Sequence, residues 1–192
     1  RGVVDRNARY PDFLQRRLDA AGANRSVVNA GISGNRVIAD GFVPMFGDAA
    51  TRRLRRDVLE VPGVKDVIIL EGINDLGVPI GANADQVIAG YKFIITRLKA
   101  RGIRVHIATI LPAADALFDG YTAPLANPTR QVINRWIRTQ KLTYSVFDFD
   151  KAVRDPRNPN ILAPKYSGPD RLHPSPAGYR KMAETVDLTK LS

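Results

Sequence analysis

Asp66-Val67-Ile68-Ile69-Leu70, which runs straight into Glu71-Gly72-Ile73-Asn74-Asp75, is the stretch on which the fold turns. Its apolar run has the length of a strand and shows no polar alternation, the pattern of a strand covered on both faces in a parallel sheet. Working outward, the next segment predicts a helix over 84–101, with Val87, Ile88, Tyr91, Ile94, Ile95 and Leu98 on one stripe and Gly102 closing it. Arg104 to Leu111 (RVHIATIL) then reads as a strand stopped by Pro112. The stretch 112–127 carries two prolines and no period, so a loop is expected there, followed by a helix over 128–139 and a strand over 144–149 (YSVFDF). Ser175 is placed to cap a last helix over 175–188, with Pro176 at its first position.

Upstream, the spacing of Phe13, Leu14 and Leu18 predicts a helix over 11–21, and Ser26 to Ala30 (SVVNA) reads as a short buried strand entering the glycine turn 31–35. A polar-faced helix is expected over 48–59, broken by Val61-Pro62-Gly63. Strands separated by helices imply an α/β protein, a three-layer α/β/α sandwich on a parallel sheet. The 192 residues suffice for one domain, and no repeat or low-complexity tract divides them.

The chain has no cysteine, which removes disulfides and thiolate metal sites from consideration. No apolar run reaches the length of a membrane span, and the segment 1–5 lacks the apolar core of a signal peptide, although one could precede Arg1. A net charge of +10, with its densest cluster at Arg52-Arg53-Leu54-Arg55-Arg56, invites a polyanion partner. The arginines are nevertheless dispersed, aromatics are only 7%, and no zinc-finger spacing is present, so nucleic acid is not the expected partner. The arginine cluster reads as a solvated helix face.

Ligands of such sheets bind beyond the carboxyl ends of the strands, where three segments carry chemistry. Gly31-Ile32-Ser33-Gly34-Asn35-Arg36 is either a plain tight turn or a loop whose backbone N–H groups face a ligand oxygen. Its Ser33 does not sit in a nucleophile elbow, because the closing position is Asn35 rather than glycine. Asn74 either caps the next element or donates its amide to an oxyanion. Asp170-Arg171-Leu172-His173 places a carboxylate three residues before one of only two histidines. The other, His106, lies in an apolar strand and reads as a hydrogen-bonded core residue. One histidine with one aspartate makes no metal site, and no cofactor is expected.

Together NAGISGNR, GIND and DRLH, in that order along the chain, resemble the three corresponding blocks of the SGNH/GDSL ester hydrolases. The resemblance implies their flavodoxin-like fold, with Gly34 (backbone N–H) and Asn74 (side-chain amide) as oxyanion donors, His173 as general base and Asp170 as its partner. The surrounding RYPDFL, VIADG, VIILEGINDLG and DFDKAVRDP look most like a branch associated with xylan and other plant polysaccharides. That implies an acetyl ester of a carbohydrate, or another small ester, as substrate, and a secreted or periplasmic location. Family members open with a strand ending in Gly-Asp-Ser, whose serine is the nucleophile; Arg1 to Asn7 resembles the loop after it. The expectation is therefore a domain incomplete at its N-terminus, lacking a central strand between 26–30 and 66–70, with the nucleophile upstream of Arg1. A non-catalytic, carbohydrate-binding domain of the same fold is the alternative. The chemical use of an Asp170–His173 pair argues against it.

Overall fold

The computed structural model describes residues 6–77, 81–117, 120–121 and 125–191. Residues 1–5, which resemble a loop in sequence, lie outside the described residues. Its helices are α1 (Tyr10–Ala20), α2 (Ala50–Leu54), α3 (Ile73–Leu76), α4 (Ala84–Lys99), α5 (Ala126–Thr139), α6 (Phe149–Val153) and α7 (Pro176–Thr185). The strands are β1 (Asp66–Ile69), β2 (Arg104–Ala108) and β3 (Ser145–Phe147), all parallel and adjacent in that order. Ile68 pairs with His106, which pairs in turn with Ser145.

Strand alternation divides the apolar residues between two cores. Val67, Ile69, Val105, Ile107 and Val146 face one cluster with the α4 stripe and Ile133 and Ile137 of α5. Ile68, Ala108 and Phe147 face the other, filled by Phe13, Leu14 and Leu18 of α1, Phe149 and Val153 of α6 and Met182 of α7. Helices on both faces of a parallel sheet give the three layers read from the sequence. All six residues of the predicted α4 stripe are buried, and Asn83 caps that helix by accepting the Gln86 N–H. Deleting one such side chain, as in Leu98→Ala, costs about 2–5 kcal/mol. Among the described residues no helix is long and apolar enough to cross a membrane.

Three expectations need correction. Ser26 to Ala30 forms no strand among the described residues, and Val28 is 72% exposed. Its backbone is held instead by side chains: Gln15 Oε1 accepts the Val27 N–H at 2.6 Å and Arg53 donates to the Ala30 carbonyl at 2.7 Å. The outer edge of β1 correspondingly has no strand beside it among the described residues. Second, the arginine cluster is not wholly solvated. Arg53 is 7% exposed because its guanidinium bonds Asn35 Oδ1 and Asp57 as well as Ala30, whereas Arg55 and Arg56 remain exposed. Third, the strand over 144–149 stops at Phe147. Asp148 accepts the Lys151 N–H and starts α6 at Phe149, so local capping wins over the apolar alternation.

Candidate active site

The turn after β1 depends on Gly72, whose φ of 114° would put a Cβ 2.5 Å from the Tyr91 hydroxyl. Tyr91 itself donates to the Glu71 carbonyl at 2.5 Å. The chain is thereby tipped directly into α3, which presents Asn74 beyond the sheet. Gly34 is fixed as tightly: at φ 75° its missing Cβ would lie 2.4 Å from the Phe46 ring.

Asn74 joins these two segments. Its Nδ2 donates to the Asn35 carbonyl at 2.8 Å, and its Oδ1 accepts the Tyr121 hydroxyl proton. The second Nδ2 proton has no partner among the described residues. In the same contact, Arg36 Nε donates to the Asn74 carbonyl at 3.1 Å, and the fully buried Asp75 accepts the Val37 and Ile38 N–H groups. Burial pushes the Asp75 carboxyl above its ordinary range, against those backbone bonds.

His173 reaches the cavity from the loop before α7. Gly168 donates its N–H to the His173 carbonyl at 2.8 Å, closing the loop, and the Ser175 hydroxyl accepts the Gly178 N–H to anchor the helix. Inside the loop one oxygen of Asp170 accepts the N–H groups of Leu172 at 3.1 Å and His173 at 2.9 Å, while the other lies 2.8 Å from His173 Nδ1. Arg171 between them takes a left-handed φ of 57°, a conformation a non-glycine residue holds only under tertiary constraint. Burial would raise the Asp170 carboxyl, but the bonds from the His173 backbone, the His173 ring and Leu172 outweigh it and hold it below its ordinary value. An ionised carboxylate only accepts, so Nδ1 carries a proton, and in the neutral form of the ring the lone pair falls on Nε2.

Gly34, Asn74 and His173 line one cavity of about 400 Å³, together with Ser33, Tyr121 and Met182. The structure thus brings together all four residues singled out in the sequence, Asp170 behind His173. Ser33 makes no hydrogen bond to His173 among the described residues, and the hydroxyls of Ser167 and Ser175 donate to the carbonyls of Gly168 and Lys165. Tyr121, Asp75 and Arg53 were missed in the sequence. Asp75 had a visible signal in its place beside Asn74, whereas Tyr121 sits in an aperiodic loop that offers none.

A Ser-His-Asp chain does occur elsewhere in the protein. Ser145 Oγ lies 2.6 Å from His106 Nδ1, and His106 Nε2 lies 3.0 Å from Asp66 Oδ1. It crosses the start of the sheet, and His106 has no exposed surface, being stacked on Phe147 and edge-on to Tyr144. No ester carbonyl can reach that ring, which makes it the satisfied core histidine expected from sequence. Among the described residues no three His, Cys, Asp or Glu side chains gather as a metal site.

The α/β sandwich thus brings a histidine–aspartate pair, the Gly34 backbone and the Asn74 amide together around one cavity. Residues 1–181 match the GDSL-like Lipase/Acylhydrolase family, and the chain belongs to that family of esterases and lipases. No curated protein sequence matches it. Among solved structures it is similar to TesA (21% identity, TM-score 0.71, 100% of this chain and 93% of that one). It is likewise similar to a GDSL-like lipase from Bacteroides thetaiotaomicron (21% identity, TM-score 0.68, 95% and 80%). A third is the inhibitor-bound aryl esterase of M. smegmatis (16% identity, TM-score 0.68, 92% and 81%). At these identities the structural likeness bears on the fold, and the match over 1–181 carries the family.

Proposed function

We propose that this site hydrolyses a carboxylic ester through a serine acyl-enzyme, with His173 as general base, Asp170 orienting and charge-compensating it, and the Gly34 N–H and Asn74 amide receiving the oxyanion. The observation that carries this is the opening of His173, Gly34 and Asn74 on one cavity. The serine Oγ attacks the ester carbon as its proton passes to Nε2; the carbonyl oxygen takes up negative charge, and the imidazolium then protonates the departing alcohol. Water, deprotonated by the same nitrogen, releases the acid and restores the serine.

We assign the serine to a strand outside the described residues, seated along the open edge of β1. Support comes from that edge and from the engagement of Ser145, Ser167 and Ser175 elsewhere. Acetyl groups on plant polysaccharide are the substrate we favour, and a secreted or periplasmic setting goes with them. That choice rests on the likeness of RYPDFL, VIADG and DFDKAVRDP to polysaccharide-associated sequences.

Labelling the intact protein with a fluorophosphonate and mapping the adduct tests the assignment. One adduct is expected, on a serine in a Gly-Asp-Ser sequence, and its formation should require His173. An adduct on Ser33 would move the nucleophile into the glycine turn. Absence of any adduct on folded protein would favour a binding module.

A further inference from the structure

A second concavity, of about 380 Å³, lies between α5, α6 and Pro159, apart from the ester site. Its lining includes Arg130, Arg135, Arg138 and Arg154. The carboxylates among them are few. Asp150 is 3% exposed and alone receives Arg130 at 2.7 Å, Arg138 at 2.6 Å and Arg154 at 3.0 Å. Asp148 adds a second carboxylate through Arg138 at 2.8 Å. Arg135 makes no ion pair among the described residues. Four guanidinium groups against two carboxylates leave a surplus of two positive charges around one hollow. An ordinary structural ion-pair network balances its charges, because uncompensated like charges repel more strongly as they are buried.

Arg130 is 2% exposed and is held rigidly, with Nε on Asn127 Oδ1 at 3.0 Å and Nη1 also on the Ile110 carbonyl at 3.2 Å. Arg138 commits Nε and Nη2 to the two aspartates, and Arg154 commits Nη1. Arg138 Nη1, the Nε and Nη2 of Arg154 and the whole Arg135 guanidinium have no protein acceptor among the described residues. Three guanidinium groups anchored on Asp150, an exposed fourth beside them, spare N–H donors and a surplus of charge suit a tetrahedral oxyanion, which accepts several N–H bonds at once.

We propose that this pocket is a binding site for a dianionic tetrahedral oxyanion, a phosphate or sulfate group, distinct from the ester site. A dianion neutralises the surplus and occupies the spare donors. A monoanion such as chloride leaves half of the charge and offers no forked geometry. Arg135, Arg138 and Arg154 are accessible to a ligand, whereas Arg130 and Asp150 are buried beneath them.

The test uses the intact protein, with inorganic phosphate and sulfate as probes and sodium chloride at matched ionic strength as control. Arginine Nε–Hε resonances and titration calorimetry are followed together. Saturable one-site binding is expected, with shifts at Arg130, Arg135, Arg138 and Arg154 and not at Arg36 or Arg53. Arg135→Gln combined with Arg154→Gln should weaken it at least about tenfold while leaving ester hydrolysis unchanged. Phosphate binding tighter than sulfate would mark a phosphate monoester, which carries up to two charges, as the physiological group, and the reverse free sulfate. Shifts that chloride reproduces, or binding that survives the double substitution, would overturn the proposal. Because the readout is binding, its failure is separate from any failure of the ester-hydrolase reading.

Discussion

Both oxygens of the Asp75 carboxylate accept the Val37 backbone N–H, at 2.9 and 3.1 Å, and Oδ1 also accepts that of Ile38 at 3.1 Å. This one side chain fastens the glycine loop to the turn after β1. Asp75→Ala strands the buried Val37 N–H and the part-buried Ile38 N–H, so a loss of about 2–4 kcal/mol is expected in denaturant unfolding. Asp75→Asn should recover only part, because its amide keeps Oδ1 as an acceptor but sets an NH₂ group where Oδ2 meets Val37. Equal stability of the Ala and Asn variants would show that these bonds are not the source of the loss.

The Asn35 carbonyl, which only accepts, turns the Asn74 Nδ2 toward itself, and the Tyr121 hydroxyl adds a second constraint by donating to Oδ1. Tyr121→Phe removes that constraint without disturbing the core. Steady-state kinetics should show kcat reduced about tenfold with KM nearly unchanged, against a loss of about two to three orders of magnitude for Asn74→Ala. A rise in KM alone in Tyr121→Phe would instead make Tyr121 a substrate contact.

Burial pushes the Glu71 carboxyl up to about 8 from an ordinary 4.5; Asp75 adds to the rise and Arg53 opposes it. A carboxyl raised in the folded state favours folding when protonated. Its contribution is fully present below pH 4.5 and is lost as pH rises through 8. Denaturation midpoints measured from pH 5 to 9 should therefore decline, and Glu71→Gln should flatten that part of the profile. An identical decline in both proteins would place the titration on another group.

Where local and tertiary demands agreed, the fold could be read from the residues. The α4 stripe, the Ser175 cap and the apolar run at Asp66 each say the same thing at every level, and each stands where expected. Ser26 to Ala30 shows the opposite case: a strand needs a neighbour, and apolar composition alone cannot make one. Arg53 was misread because a basic run looks solvated until the acceptors around it, Ala30, Asn35 and Asp57, are brought together by tertiary structure. Asn74 stood out because it follows a strand, and Asp170 and His173 because a carboxylate lies three residues before one of two histidines, whereas Gly34 was reached only through the resemblance of NAGISGNR to the family's glycine block. Tyr121 acts through distance in space, 47 residues from Asn74, and leaves no pattern in its own neighbourhood.

The most direct measurement of the central claim is the rate of p-nitrophenyl acetate hydrolysis by intact wild-type protein and by His173→Gln, each normalised to folded molecules. If His173 is the base serving the Gly34 and Asn74 cavity, kcat should fall by at least about four orders of magnitude with unfolding unchanged, while His106→Gln should chiefly alter stability. Retention of wild-type kcat by folded His173→Gln would contradict the account.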